Sequence, residues 1–177
     1  MALPDYFKLE HGTALIFGEN GGSGVTNAIA WDALANGSGR MSASFDLGAQ
    51  WDQEWAFWAT VETGTAPAAG AIVEYYIAWS YNGTVWPGKV TGSEAAYPTT
   101  VADNKKQLGT PVHVLVATAD ANTAITQNVR RFFPPARYGV LVPINLLGQA
   151  FRDQATASNN LSRAYMVPSR FLQQDAA

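Results

Sequence analysis

The sequence predicts an all-β sandwich of eight to nine strands, and three observations carry that expectation. Apolar residues recur with period two in short segments, those segments are bounded by Gly, Asn, Pro and Ser, and no stretch of useful length shows the period of an amphipathic helix. Such alternation gives each strand one apolar face, which two sheets bury by covering each other.

Taken in order, the first strand is expected at 13–17 (TALIF) and the second at 28–34 (AIAWDAL), with Asn20-Gly21-Gly22 as a turn between them. Asn36-Gly37 marks a turn before Met41, Ala43, Phe45 and Leu47, which alternate with Ser42, Ser44 and Asp46. Trp55, Phe57, Ala59 and Val61 form the next row, followed by Val73, Tyr75, Ile77 and Trp79. Asn82-Gly83 is the strongest local turn signal, because both residues tolerate positive φ. Four rows complete the set: Val112, Val114 and Val116; Val129, Arg131 and Phe133; Tyr138, Val140, Val142 and Ile144; and Leu161, Arg163, Tyr165 and Val167. Pro143 has no N–H to give a ladder, so its strand is expected at a sheet edge or with a bulge.

This framework makes one domain of 13–168 and leaves three segments outside it: an N-terminal arm at 1–12, a long loop at 87–110 and a C-terminal tail at 169–177. A connection as long as the middle one is uncommon in a compact domain and is usually functional or disordered. All three are candidate contact arms.

Composition narrows the function. A chain of 177 residues with 47% hydrophobic side chains suits a single domain with a sizeable core. Only 14% of positions are charged, where about a quarter is usual. The absence of cysteine excludes disulfides, thiolate zinc sites and Cys nucleophiles. No apolar run approaches the roughly 20 residues of a membrane helix, the start MALPDYFKLEHG carries no export signal, and a net charge of −3 argues against nucleic acid as a partner. The charge is uneven: residues 1–88 hold nine acids and two bases (−7), and residues 89–177 five acids and nine bases (+4). Chance together with the interleaving of strands explains that split, as do acidic and basic patches that meet between subunits.

No catalytic constellation is legible, so no enzyme, cofactor or metal site is expected. His11 lies in the N-terminal arm, and His113 is expected as a half-exposed structural residue of its strand. Asp52 and Glu54 read as solubilising charges, and GENGGSGV at 18–25 lacks the Lys-Ser/Thr ending and following helix of a phosphate loop. The sequons at Asn36, Asn82 and Asn160 mark sites expected to be exposed. The aromatic residues say more. Trp31, Trp55 and Trp79 fall on the apolar rows and are expected in the core, whereas Trp58 and Tyr76 fall on the opposite faces, beside Thr60, Glu62, Glu74 and Ser80. Exposed there, they would stack on sugar rings or anchor a protein partner; otherwise another segment covers them.

The runs WSYNGTVWPGKVTGSEAAYP (79–98) and RFFPPARYGVLVPINLLGQAF (131–151) resemble segments of jelly-roll β-sandwich proteins in tailed-bacteriophage virions. The resemblance covers the second half of the chain. It implies a jelly-roll-like fold and a structural virion component at the capsid surface: a decoration or cement protein that binds the major capsid protein, as a homo-oligomer, dimer or trimer. The alternative it leaves open is a glycan-binding module of a head fibre or tail appendage, with a host glycan as ligand. The candidate partner-binding residues are Trp58, Tyr76, Trp86, Lys105 and Lys106. In the second run, Asn145 and Gly148 are expected to end the strand in a turn, and Arg137 to stack or bridge at its entrance.

Overall fold

A computed structural model describes residues 6–49, 51, 53–98, 102–154 and 160–174. The strands are β1 Tyr6–His11, β2 Leu15–Gly18, β3 Asn27–Ala28, β4 Gly39–Met41, β5 Phe45–Asp46, β6 Glu54–Val61, β7 Ile72–Ser80, β8 Ala95–Tyr97, β9 His113–Val116, β10 Ile125–Thr126, β11 Arg130–Phe132, β12 Tyr138–Leu146 and β13 Arg163–Gln174, with one short helix, α1 Ala102–Gln107. They form two sheets. The first has the order β10-β6-β13-β2-β3, with β11 also on β6 and β1 on β13; the second has the order β8-β4-β12-β7-β9, with β5 on β12. The chain is thus an all-β sandwich.

The core lies between the sheets where alternation is cleanest. Trp55, Phe57, Ala59 and Val61 of β6 are all buried, and they face Val73, Tyr75 and Ile77 of β7 with Leu141 of β12. Trp31, Phe17, Phe151 and Met166 belong to the same cluster, Met166 beside Phe57 on the neighbouring strand. Burying each large side chain contributes about 1.5–3 kcal/mol. Trp79, expected in the core, is only partly buried: it sits at the margin, its ring centroid 6.2 Å from Phe45 and 6.1 Å from Phe132.

Thirteen strand segments among the described residues exceed the eight or nine expected, in part because bulges cut the rows. β12 meets β5 at Gly139↔Phe45 and β4 at Ile144↔Gly39, so residues 40–44 oppose 140–143 and one residue is extra. The row Met41, Ala43, Phe45, Leu47 therefore does not share a face. Phe45 and Leu47 enter the main core, Met41 packs on the outer side of the second sheet, and Ala43 is exposed. Ser42 bridges the break, its N–H donating to the Leu141 carbonyl at 2.9 Å and its Oγ accepting from the Leu141 N–H at 3.0 Å. A second bulge places 127–129 against 58–59 of β6, between Thr126↔Thr60 and Arg130↔Phe57. Phe132 then faces the core opposite Trp55, and Val129 and Phe133, expected inward, are 51% and 69% exposed.

Two further rows are reversed along their strands. In β9 the buried residues are His113 and Leu115, with Val114 and Val116 turned outward although Val112, just before the strand, packs on the core, and in β13 they are Ala164 and Met166, with Arg163, Tyr165 and Val167 on the outer face. Both rows carry apolar residues there, so a two-residue period cannot say which faces the core. The expected strand at 28–34 shrinks to Asn27–Ala28; beyond it Ile29, Trp31 and Leu34 are buried from a turn in which Ala33 has φ 51°.

Pro143 lies in a central strand, not an edge, because β12 has β4 on one side and β7 on the other. The main-chain groups of Leu141 and Asn145 bond Ser42, Ser38 and Gly37 on the β4 side. Alternation turns the N-side of Pro143 the same way, toward the bulged strand, so the β7 ladder loses no donor at Pro143↔Tyr75. Asn82 accepts from the Thr84 and Val85 N–H groups at 3.1 Å, but no strand follows directly, and the turn closes no hairpin. The Asn145 turn forms as expected: Asn145 Nδ2 donates to the Leu34 and Gln149 carbonyls at 2.8 Å, Oδ1 accepts from the Leu147 N–H, and Gly148 has φ 76°.

The expected terminal arms are one structure. β13 runs unbroken through the boundary at 168/169, and β1 pairs antiparallel with its distal half, from His11↔Ser169 to Tyr6↔Gln174. Residues 1–5 and 175–177 of the arms, 99–101 of the long loop and Asp52 lie outside the described residues.

Candidate functional site

The outer face of the first sheet presents aromatic and aliphatic side chains. Register aligns Ile16 of β2, Tyr165 of β13 and Trp58 of β6 in one cross-strand row. The Trp58 and Tyr165 rings stack with centroids 4.9 Å apart and planes 9° from parallel, and both residues are half-buried. Beside them runs a groove of about 340 Å³ lined by Ala56, Trp58, Val129, Arg131, Val167 and Ser169. Arg131 is held there by Glu54, with 3.1 Å between Nη1 and Oε2. This site combines one expected residue, Trp58, with Tyr165 and Val167, whose row is expected on the apolar face and instead faces outward.

Tyr76, Trp86 and Lys105 gather at the outer face of the other sheet, where Tyr76 is not exposed. Tyr76 is 3% exposed, in a second apolar cluster with Met41, Val90, Tyr97, Leu108 and Val142. The segment 87–110 supplies three of those residues, so it covers the outer face of the second sheet instead of reaching out as a free arm. It is seated tightly. Gly88, at φ 64°, lies where a Cβ would stand 2.9 Å from both the Asn104 carbonyl oxygen and Leu108, and its N–H donates to Gln107. Lys105 reaches back from α1 to an ion pair with Glu74 and stands 6.0 Å from the centre of the Tyr76 ring. Burial, and then the neighbouring Glu74 carboxylate, push the Tyr76 hydroxyl well above its ordinary range. Trp86 is half-buried against this cluster, and Lys106 is exposed in the last turn of α1. The five candidates thus do not converge on one site.

Ion pairs account for much of the charge split. Lys105–Glu74, Arg131–Glu54, Arg137–Asp46 and Arg152–Glu62 each join a base of the second half to an acid of the first. Arg137 binds Asp46 through two bonds of 2.6 Å and lies over Tyr138; its guanidinium holds the Asp46 carboxyl below the usual range.

Two polar features escaped sequence reasoning. Glu62, expected outside, is buried with Arg152 and Gln154. Gln154 and Asn160 in turn bond Asp32, whose N–H donates to Glu19, and burial raises both Asp32 and Glu19 carboxyls above their ordinary values. Asn160, expected exposed as a sequon, is part of this seam and buried. His113, expected half-exposed, is 4% exposed between Phe57 and Tyr75. Among the described residues, no group of three or more His, Asp or Glu stands where it could hold a metal ion. No family model, curated protein or solved structure matches the chain.

Proposed function

We propose that this protein is a structural virion component of a tailed bacteriophage, a jelly-roll-like capsid decoration or cement protein that binds the major capsid protein through the outer face of its first sheet. The observation that carries this reading is the Trp58–Tyr165 stack with the adjoining groove at Val129 and Val167. A rigid aromatic pair presents contact area with little rotamer freedom left to lose, and an apolar strip rimmed by polar groups marks a protein contact. The motif resemblance at 79–98 and 131–151 supports the virion setting. Attachment as a dimer or trimer belongs to the same proposal, and the apolar strip would carry it, since the four ion pairs named above all close within one chain.

Co-sedimentation with undecorated capsids tests this. The native protein is expected to pellet with shells, and a Trp58→Ala/Tyr165→Ala variant to bind at least tenfold more weakly. A native protein that ignores shells and instead binds a glycan array would overturn the proposal in favour of the head-fibre or tail-appendage reading. Tyr76, being buried, would not contribute a sugar platform in that case.

A further inference from the structure

At one side of the sandwich the two sheets part. A cleft of about 720 Å³ opens there, with His113 and Val114 on one wall and Thr126, Gln127, Asn128 and Arg130 on the other. The first wall is β9, the edge strand of the second sheet; the other is the bulge between β10 and β11. Three features of this cleft await a partner. The His113 ring is buried at its floor with neither nitrogen hydrogen-bonded, although buried polar groups are normally paired. Arg130 is exposed and, among the described residues, has no ion pair, and no acid lines the cleft to neutralise it. Finally, β9 presents a free edge. The Ala117 N–H bonds Ala71 beside β7, so alternation directs the main-chain groups of Val114 and Val116 away from β7. Gln127 already occupies part of that edge, its Nε2 donating to the Val116 carbonyl at 3.1 Å as a neighbouring strand would.

We propose that this cleft binds an extended acidic peptide segment, which adds a strand along β9 at Val114 and sets a carboxylate against Arg130. Main-chain pairing supplies sequence-tolerant affinity, and the unopposed guanidinium selects the acidic side chain. Apart from the buried His113, the lining contains no aromatic ring on which a sugar could stack, so the geometry favours peptide over glycan. The proposal concerns a different face from the Trp58 groove and does not rest on the virion reading.

The test begins by panning a random dodecapeptide display library on the full chain and synthesising the most enriched peptide. That peptide is expected to contain Asp or Glu and to shift the amide resonances of Val114, Val116 and Arg130. It is expected to bind at least tenfold more weakly to Arg130→Ala, an exposed change, and to Val114→Pro, which removes the outward N–H without taking a donor from the β7 ladder. Circular dichroism verifies each fold, and Arg130→Ala alone decides the matter should the proline variant unfold. Failure to enrich acidic peptides, binding unchanged by Arg130→Ala, or shifts confined to the Trp58 groove would each overturn the proposal. So would a galacturonate oligosaccharide that moves these resonances where no peptide does. Shell co-sedimentation unaffected by Arg130→Ala separates this site from the capsid contact.

Discussion

His113 puts an imidazole among Phe57 and Tyr75 without a hydrogen bond to either nitrogen. Desolvation, reinforced by the Arg130 charge, lowers its pKa below the ordinary 6.5, so the folded protein holds the ring neutral. The unfolded chain binds the proton more tightly, and the stability this residue contributes is complete above pH 6.5 and lost as the pH falls toward the folded value. Asp32 and Glu19, raised by burial, act with the opposite sign and gain from acidification. A comparison with His113→Phe isolates the histidine. Urea titrations at pH 7.5 and 5.0 should show a smaller acid loss in the variant, whose stability at pH 7.5 should lie within about 1 kcal/mol of the native protein or above it, because an unsatisfied polar group has been removed. An equal loss in both proteins would place the His113 titration elsewhere. The tryptophans divide by the same measurement: Trp31→Ala, from the closed core, should lose about 3–5 kcal/mol, and Trp58→Ala, from the outer stack, about 1 kcal/mol.

Elements show where sequence patterns govern the fold. β12 is buried on both faces, with Val140, Val142 and Ile144 toward the second cluster and Leu141 toward the main core. Gly139 makes this possible beside β5: a Cβ there would stand 2.3 Å from the Phe45 ring and 3.0 Å from Ile77. Gly139→Ala should therefore destabilise by about 1–3 kcal/mol, the usual range for overpacking, and should lower the thermal midpoint; an unchanged midpoint would mean that Phe45 is free to move. β6 was legible because Trp55, Phe57, Ala59 and Val61 share one face while Glu54 and Thr60 mark the other, even though Ala56 and Trp58 stand with them, and the Asn145 turn because a single side chain satisfies several main-chain groups. β9 and β13 were not, since His113 and Tyr165 offer hydrophobicity to either face. The bulges at 40–44 and 127–129 leave no periodic signal at all, and each moves the residues beyond it to the other face. The candidate site suffered for the same reason: Tyr76 looks exposed by alternation on β7, and only the nonlocal packing of 87–110 hides it.

For the molecule as a whole, β13 links the sandwich to the pairing of its termini. Along 163–169 it lies against β6, and along 164–166 also against β2; past Ser169 its strand partner is β1. A two-stranded ribbon is marginal by itself, whereas the central ladder shares in the cooperative core. Deleting residues 2–11 should consequently leave a folded sandwich whose thermal midpoint falls by only a few degrees, a shift on the order of 1 kcal/mol for a domain of this size. Amide hydrogen exchange should keep its protection at Ala164 and Met166 but lose it throughout 170–174. If the deletion instead abolishes cooperative unfolding, β1 is part of the folding unit and not an addition to it. If 170–174 stay protected in the truncated protein, another strand has taken the place of β1, and the concentration dependence of that protection tells whether it comes from a second copy of the chain.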